Sequence, residues 1–193
     1  LHLVRSGITP DVASVPNEAL DSFAPTLTPG IASMKLCLDG EDVGLLIRDD
    51  SIADAASVFS SKPEVRKVLL EVQREAVRGK RVIAEGRDMG TVVFPRAAVK
   101  FFLIADLDQR SRRRHLELLD LGKSCNLPEI RLAMRARDER DTSRKEAPLS
   151  CPPGGLLIDT TRYTPEQVVD RMVVEIRKRV SGITSETFSK RKD

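Results

Sequence analysis

The stretch 82–91 changes within a few residues from an apolar run into a turn that contains two glycines. The glycines bracket Arg87 and Asp88. A parallel strand that ends in such a turn presents its next side chains at the carboxyl edge of the sheet, where open α/β folds bind ligands. There Arg87 could hold a phosphate or a carboxylate through two hydrogen bonds, and Asp88 could accept a donor from a base or a sugar. The stretch predicts a ligand site, although an ordinary turn with an Arg–Asp salt bridge has the same pattern.

Two further apolar runs, 99–104 and 156–159, also have the composition of buried parallel strands. Helical patterns flank the three predicted strands, over 61–79, 107–121, 127–145 and 164–182. The last of these begins with the capping box Thr164-Pro165-Glu166-Gln167. Strands that alternate with helices predict an α/β fold with a parallel sheet and flanking helices.

A β-hairpin is predicted near the start of the chain, because β-rich runs at 34–38 and 43–47 flank the turn-forming residues 39–42. We expect this hairpin to form a small separate lobe. The segment before it, 11–30, is rich in proline and small polar residues, which predicts irregular structure apart from one helical turn.

The charge of the chain is concentrated in one region. The formal net charge is only +3, but nine of the 22 arginines fall between Arg110 and Arg144. A local cluster of this kind indicates a phosphorylated ligand rather than a basic coat for nucleic acid. The cysteines Cys37, Cys125 and Cys151 have no metal-ligand spacing and indicate reduced thiols in a cytoplasmic protein. We expect neither a membrane span nor a signal peptide.

Arg137, Asp141 and Arg144 are spaced i, i+4 and i+7 on a predicted helix, so they share one face. Two arginines on either side of an aspartate can clamp a phosphate and a hydroxyl group. They can equally form an exposed salt-bridge ladder, which the pattern alone favours. The Arg87–Asp88 pair precedes the predicted strand 99–104, and this helix follows it. Two Arg/Asp groups on either side of one strand favour a ligand site over a salt-bridge ladder.

The residues EGRDMGTVVFP at 85–95, the spacing Arg137-x-x-x-Asp141-x-x-Arg144 and the APL triplet at 147–149 together resemble the bacterial cytidylate kinases. The resemblance covers about 7–179. The hairpin residues 39–43 are similar to the family's insertion in its nucleoside-monophosphate-binding region.

This resemblance implies an adenylate-kinase-like, P-loop-kinase fold in which ATP, with Mg²⁺, phosphorylates CMP or dCMP. It implies a core over about 1–182, an insertion over about 31–60, a lid over about 108–145 and a polar tail at 183–193. It also implies a monomer with no nucleic-acid or membrane partner. The residues that match substrate-binding positions are Ser57, Arg66, Arg87, Asp88, Arg137, Asp141 and Arg144.

Within that set, the resemblance assigns separate roles. Ser57, Arg66 and Asp88 match positions that read cytosine, and Arg87 and Arg144 match phosphate-gripping arginines. Arg137 and Asp141 match positions near the sugar and the transferring phosphate, so we expect these two, with Arg87 and Arg144, to be catalytic. The residues that match the mobile lid on the donor side are Arg110, Arg113 and Arg114.

The sequence departs from the family at its start. It contains no phosphate loop of the G-x-x-x-x-G-K-[ST] type and no D-S-G-x-x-Y-R segment. We therefore expect a chain that lacks the family's first strand and phosphate loop and is an incomplete, inactive form. No metal ligands can be assigned to its residues.

Two functions of different class remain open on the sequence. One is a cytidylate kinase whose acceptor site is intact, and the other is a non-catalytic CMP-binding protein that has lost the donor site. An RNA-binding module that uses the arginine cluster is disfavoured, because the chain has one tyrosine and no tryptophan to stack on bases.

Overall fold

Five buried apolar side chains pack into one cluster in the N-terminal part of the chain: Leu3, Val15, Leu20, Phe59 and Val65. In the computed structural model, which describes residues 1–29 and 34–189, this cluster is the core of one of two compact units. The first unit comprises 1–85 together with 144–146, and the second comprises 86–143 together with the chain from 147 onward.

Four helices and a three-stranded antiparallel sheet build the first unit. The helices are α1 (His2–Arg5), α2 (Asn17–Asp21), α3 (Asp50–Phe59) and α4 (Pro63–Ala76). The strands are β1 (Pro25–Pro29), β2 (Met34–Leu38) and β3 (Glu41–Asp42), in the order β1-β2-β3. The prediction that 11–30 is irregular was wrong for β1. Its prolines are accommodated because they stand at the two ends of an edge strand.

The predicted hairpin is confirmed at its first strand and its turn. Asp39 and Gly40 both have positive φ, 53° and 81°, as a two-residue turn that matches the strand twist requires. The predicted second strand, 43–47, was wrong. Asp42 Oδ1 accepts a hydrogen bond from the Gly44 backbone N–H at 3.0 Å, which turns the chain out of the sheet. A 3₁₀ turn at Leu46–Arg48 follows.

Two of the three predicted parallel strands form the sheet of the second unit. Strand β4 (Phe101–Ile104) pairs in parallel with β5 (Leu156–Asp159). The strand predicted at 82–86 was wrong: this run has no regular structure, and Ile83 is 99% exposed. A parallel strand needs neighbours that bond its N–H and C=O groups, and no strand of the described residues pairs with this run.

Three helices complete the second unit: α5 (Leu107–Asp120), α6 (Leu127–Ser143) and α7 (Pro165–Ser189). The predicted capping box is confirmed, because the Thr164 N–H donates to Gln167 Oε1 and the Gln167 N–H donates to Thr164 Oγ1. Helix α7 continues past Gly182, where the sequence predicts its end. Residues 31–33 of the predicted insertion and 190–193 of the predicted tail lie outside the described residues. No helix within the described ranges is long and apolar enough to cross a membrane.

Candidate functional site

Asp141 joins two of the predicted site arginines in the second unit. Its side chain is only 8% exposed, and Arg87 Nε lies 3.2 Å from Asp141 Oδ2. Arg137 lies one helical turn earlier on α6, with its Nε 3.9 Å from the same oxygen. The side chains of Arg87 and Arg137 are 41% and 48% exposed, so their charges remain accessible to a ligand. A buried carboxylate thus holds two half-exposed guanidinium groups.

A single π-helical turn, Met89–Val93, begins two residues after Arg87. The Asp88 carbonyl accepts hydrogen bonds from the backbone N–H groups of Val92 and Val93, at 2.9 and 3.2 Å. Gly90 lies against Pro152, and a Cβ at this position would come within 2.8 Å of the proline ring. Only glycine allows this approach, so the second glycine of the motif serves packing that fixes the Arg87 turn.

The end of α6 is fixed by the chain that returns after it. The Leu149 N–H donates to the Asp141 carbonyl at 2.8 Å. Ala147, two residues earlier, has a φ of 49°, which lets the backbone reverse. The APL triplet therefore supports the backbone of Asp141.

Two of the residues predicted to read cytosine, Ser57 on α3 and Arg66 on α4, lie in the first unit. Arg66 Nη1 donates to the Ser60 carbonyl at 3.1 Å, which holds the guanidinium beside the end of α3. Ser57 Oγ is buried and has no hydrogen-bond partner among the described residues. A buried hydroxyl without a partner is costly, and such a group is suited to a ligand that supplies the partner.

The remaining predicted site residues divide between the units. Arg144 groups with the first unit, whereas Asp88 and the Arg87–Asp141–Arg137 cluster belong to the second. Convergence of all seven residues on one cleft stays a prediction.

The three arginines predicted for the lid all bond to other groups of the second unit. Arg110 contacts Asp138 and the Ala105 carbonyl. Arg113 donates to the Thr160 carbonyl at 2.6 Å and to the Tyr163 carbonyl at 3.1 Å. Arg114 pairs with Glu117 one turn along the same helix, at 3.0 Å.

Two residues beside the site were missed by the sequence reasoning. Asp138 pairs with Arg110. The available signal was its spacing, because Asp138 lies seven residues after Arg131 and therefore on the same face of α6. Thr160 is 8% exposed, and both its N–H and its hydroxyl donate to the Ile104 carbonyl at the end of β4. A threonine after a strand gave no signal of this kind.

The carboxyl end of β5 carries an ionised carboxylate. Asp159 Oδ1 accepts hydrogen bonds from the Thr161 hydroxyl and N–H, and these bonds lower the pKa of Asp159 below its ordinary value. The described residues contain no group of three or more His, Cys, Asp or Glu side chains that could hold a metal ion.

One known protein family matches most of the chain. Residues 6–178 match the sequence profile of a family described as cytidylate kinase. The chain is 46% identical over 148 residues to a cytidylate kinase of Caldanaerobacter subterraneus subsp. tengcongensis, covering 77% of this chain and 66% of the relative. It is 44% identical to one of Pseudomonas putida KT2440, covering 75% of this chain and 64% of the relative.

A third relative matches more of the chain. A cytidylate kinase of Geobacter sulfurreducens is 42% identical over 176 residues, covering 91% of this chain and 75% of the relative. The chain spans about two thirds of the length of the first two of these relatives. The profile match over most of the chain and these identities show that the chain belongs to the cytidylate kinase family.

Proposed function

We propose that this chain carries the acceptor site of a kinase that transfers the terminal phosphoryl group of ATP to CMP or dCMP, giving ADP and CDP or dCDP. The observation that carries the proposal is the buried Asp141 carboxylate, which holds Arg87 and Arg137 within 3.2 and 3.9 Å of one oxygen. Family membership supports the same reaction and the same nucleotides. A cytoplasmic location and a monomeric state stay predictions.

The arginine cluster suits phosphoryl transfer because this reaction requires little covalent chemistry from the protein. It requires alignment of the two phosphates and positive charge around the oxygens of the group in transfer. Arg87 faces Asp141 with its Nε, and a guanidinium binds a phosphate through its two terminal nitrogens. Arg137 on the same carboxylate adds the second charge. Arg144 is proposed as a further phosphate contact.

Cytosine offers an amino donor, a ring-nitrogen acceptor and a carbonyl oxygen. A carboxylate, a guanidinium and a hydroxyl are complementary to these groups, and Asp88, Arg66 and Ser57 carry them. Since Ser57 Oγ is buried without a partner among the described residues, a bound base would satisfy it. These three roles are proposals, as is the donor-side role of Arg113 and Arg114.

Mg²⁺ would supply charge neutralisation between the two nucleotides, as it does in phosphoryl transfer generally. The described residues do not fit a metal site of their own, because Asp141 is already held by two cations. We therefore assign no step to the metal in this chain.

The test is ADP formation by the purified protein with CMP, dCMP, UMP and AMP as acceptors, together with CMP binding by calorimetry. Transfer to CMP or dCMP that falls sharply in Arg87→Met, and less in Arg87→Lys, is the expected result. Arg112→Met, an exposed arginine on α5, is the matched control. CMP binding without transfer by this chain alone is what the missing phosphate loop predicts. Only a protein that contains the loop and still binds CMP without transfer would be a non-catalytic CMP-binding protein. The absence of both binding and transfer would refute the proposal.

A further inference from the structure

Helix α6 carries Arg137 and Asp141, yet little apolar packing holds it. Asp141 is its only buried residue, and the apolar side chain of Leu132 is 69% exposed. Most helices in proteins are fixed by the packing of an apolar face. The rotation of α6 about its axis therefore depends on its polar contacts as well as on the partly buried Ile130 and Met134.

Two ion pairs join α6 to α5. Arg110 donates from Nη1 to Asp138 Oδ1 at 3.3 Å and from Nη2 to Asp138 Oδ2 at 2.7 Å. Arg131 of α6 pairs with Asp108 of α5. The Arg110 and Asp138 side chains are 28% and 29% exposed, against 46% and 59% for Arg131 and Asp108. Because buried pairs are screened less by water and salt, the Arg110–Asp138 pair is the stronger constraint.

The third nitrogen of the Arg110 guanidinium bonds to the backbone next to the sheet. Arg110 Nε donates to the carbonyl of Ala105 at 2.9 Å, and Ala105 follows β4 directly. One planar, rigid group therefore links the carboxyl end of β4 to α6. The fixed fork of a guanidinium makes such a link directional, which a lysine ammonium cannot reproduce.

We propose that Arg110 is a positioning residue that sets the rotation of α6 through Asp138, and thereby places Arg137 and Asp141 beside Arg87. Asp138 adjoins Arg137 in the chain, so a rotation of α6 that breaks the Arg110–Asp138 pair also displaces both site residues. This proposal rests on the proposed function. It differs from the donor-side role that the family resemblance implies, because all three guanidinium nitrogens of Arg110 bond to protein acceptors.

The kinetic test compares Arg110→Met, Asp138→Asn and the double variant, with Arg112→Met as the control on the same helix. We expect each single variant to lower kcat about 10- to 100-fold, the cost of a misplaced catalytic group, with the KM for ATP unchanged. The double variant should lose no more than the worse single variant, within about twofold. Asp138→Glu, which keeps the charge, should recover part of the loss.

A donor contact gives a different pattern. If Arg110→Met raises the KM for ATP while Asp138→Asn does not, Arg110 binds the donor and the proposal is overturned. Single losses that multiply in the double variant would overturn it as well, because they would show that the two residues act separately.

Hydrogen exchange tests the positioning without relying on the proposed function. In Arg110→Met and in Asp138→Asn, the amides of 137–141 should exchange about tenfold faster or more, and in Arg112→Met they should not. Unchanged exchange in the first two variants would refute the positioning role even if the protein is a kinase. Faster exchange in a protein without transfer activity would support the positioning and refute the proposed function alone.

Discussion

Arg87 and Asp141 form an ion pair in which Arg87 Nε lies 3.2 Å from an oxygen of a carboxylate that is 8% exposed. Arg87 follows the irregular run before β4, and Asp141 lies in the last turn of α6, which ends at Ser143. The pair thus joins two segments that are far apart in the chain and that both carry charged residues of the family motif. The Asp141 carboxylate lies beside both Arg87 and Arg137, so the positions of these two arginines depend on one side chain.

Asp141→Asn tests that dependence. The amide keeps the shape of the side chain but removes the charge that orients Arg87 and Arg137, so we expect kcat to fall about 10²- to 10³-fold. Steady-state kinetics with CMP measure this loss. Glu139→Gln changes an exposed carboxylate on the same helix and should leave kcat within about twofold of the parent protein. Equal kinetics for Asp141→Asn and the parent would contradict the role of the cluster.

Asp88→Ala tests the reading of the base. Loss of a carboxylate that accepts from the cytosine amino group should weaken CMP binding by about 1–3 kcal/mol. UMP lacks that amino group, so its binding should change much less. Calorimetric titration of both nucleotides measures the difference. Equal losses for CMP and UMP would indicate that Asp88 supports the Arg87 turn instead.

Ser57→Ala separates stability from binding. Because Ser57 Oγ is buried without a partner among the described residues, removing it should leave the unfolding free energy unchanged or raise it by up to about 1 kcal/mol. The same change should weaken CMP binding by about 1–2 kcal/mol if the base supplies the missing bond. Urea unfolding and CMP titration on one preparation measure both quantities. A destabilised variant with unchanged CMP binding would exclude this role.

Gly90→Ala should destabilise the second unit by about 1–3 kcal/mol, since the new Cβ would lie 2.8 Å from the Pro152 ring. Chemical unfolding measures the loss. Pro152→Ala in the Gly90→Ala background removes Cγ, the ring atom at 2.8 Å, and should restore part of the stability. If the second substitution adds to the loss instead, the close contact is not the cause.

The Glu64 carboxylate should make the stability of the first unit depend on pH. It accepts a hydrogen bond from the Val15 N–H at 2.9 Å, which lowers the pKa of Glu64 below its ordinary value. A carboxyl whose pKa is lower in the folded state stabilises the fold above its unfolded pKa, and this contribution is lost as the pH falls through the folded pKa. Urea midpoints measured from about pH 7 to about pH 3 should fall less steeply in Glu64→Gln than in the parent protein. Parallel curves would rule out this contribution.

The sequence alone determined the elements whose signal is local. The strands β4 and β5 and the capping box at Thr164 and Gln167 follow from runs, periodicity and caps, because neighbouring residues supply those interactions. The hairpin turn at Asp39 and Gly40 belongs with them, since few residue types accept positive φ. The spacing of Arg137 and Asp141 also places both on one face of a helix, because residues four apart lie one turn from each other.

Tertiary structure decided what depends on distant partners. The apolar run at 82–86 has the composition of a strand, but no strand of the described residues pairs with it. The proline-bounded β1 forms because β2 bonds to it. Among 32 basic and 29 acidic residues, composition cannot select the partner of any one charge. Only the fold brings Arg87 to Asp141 and Arg110 to Asp138, because an ion pair depends on distances that the chain sets far from either residue.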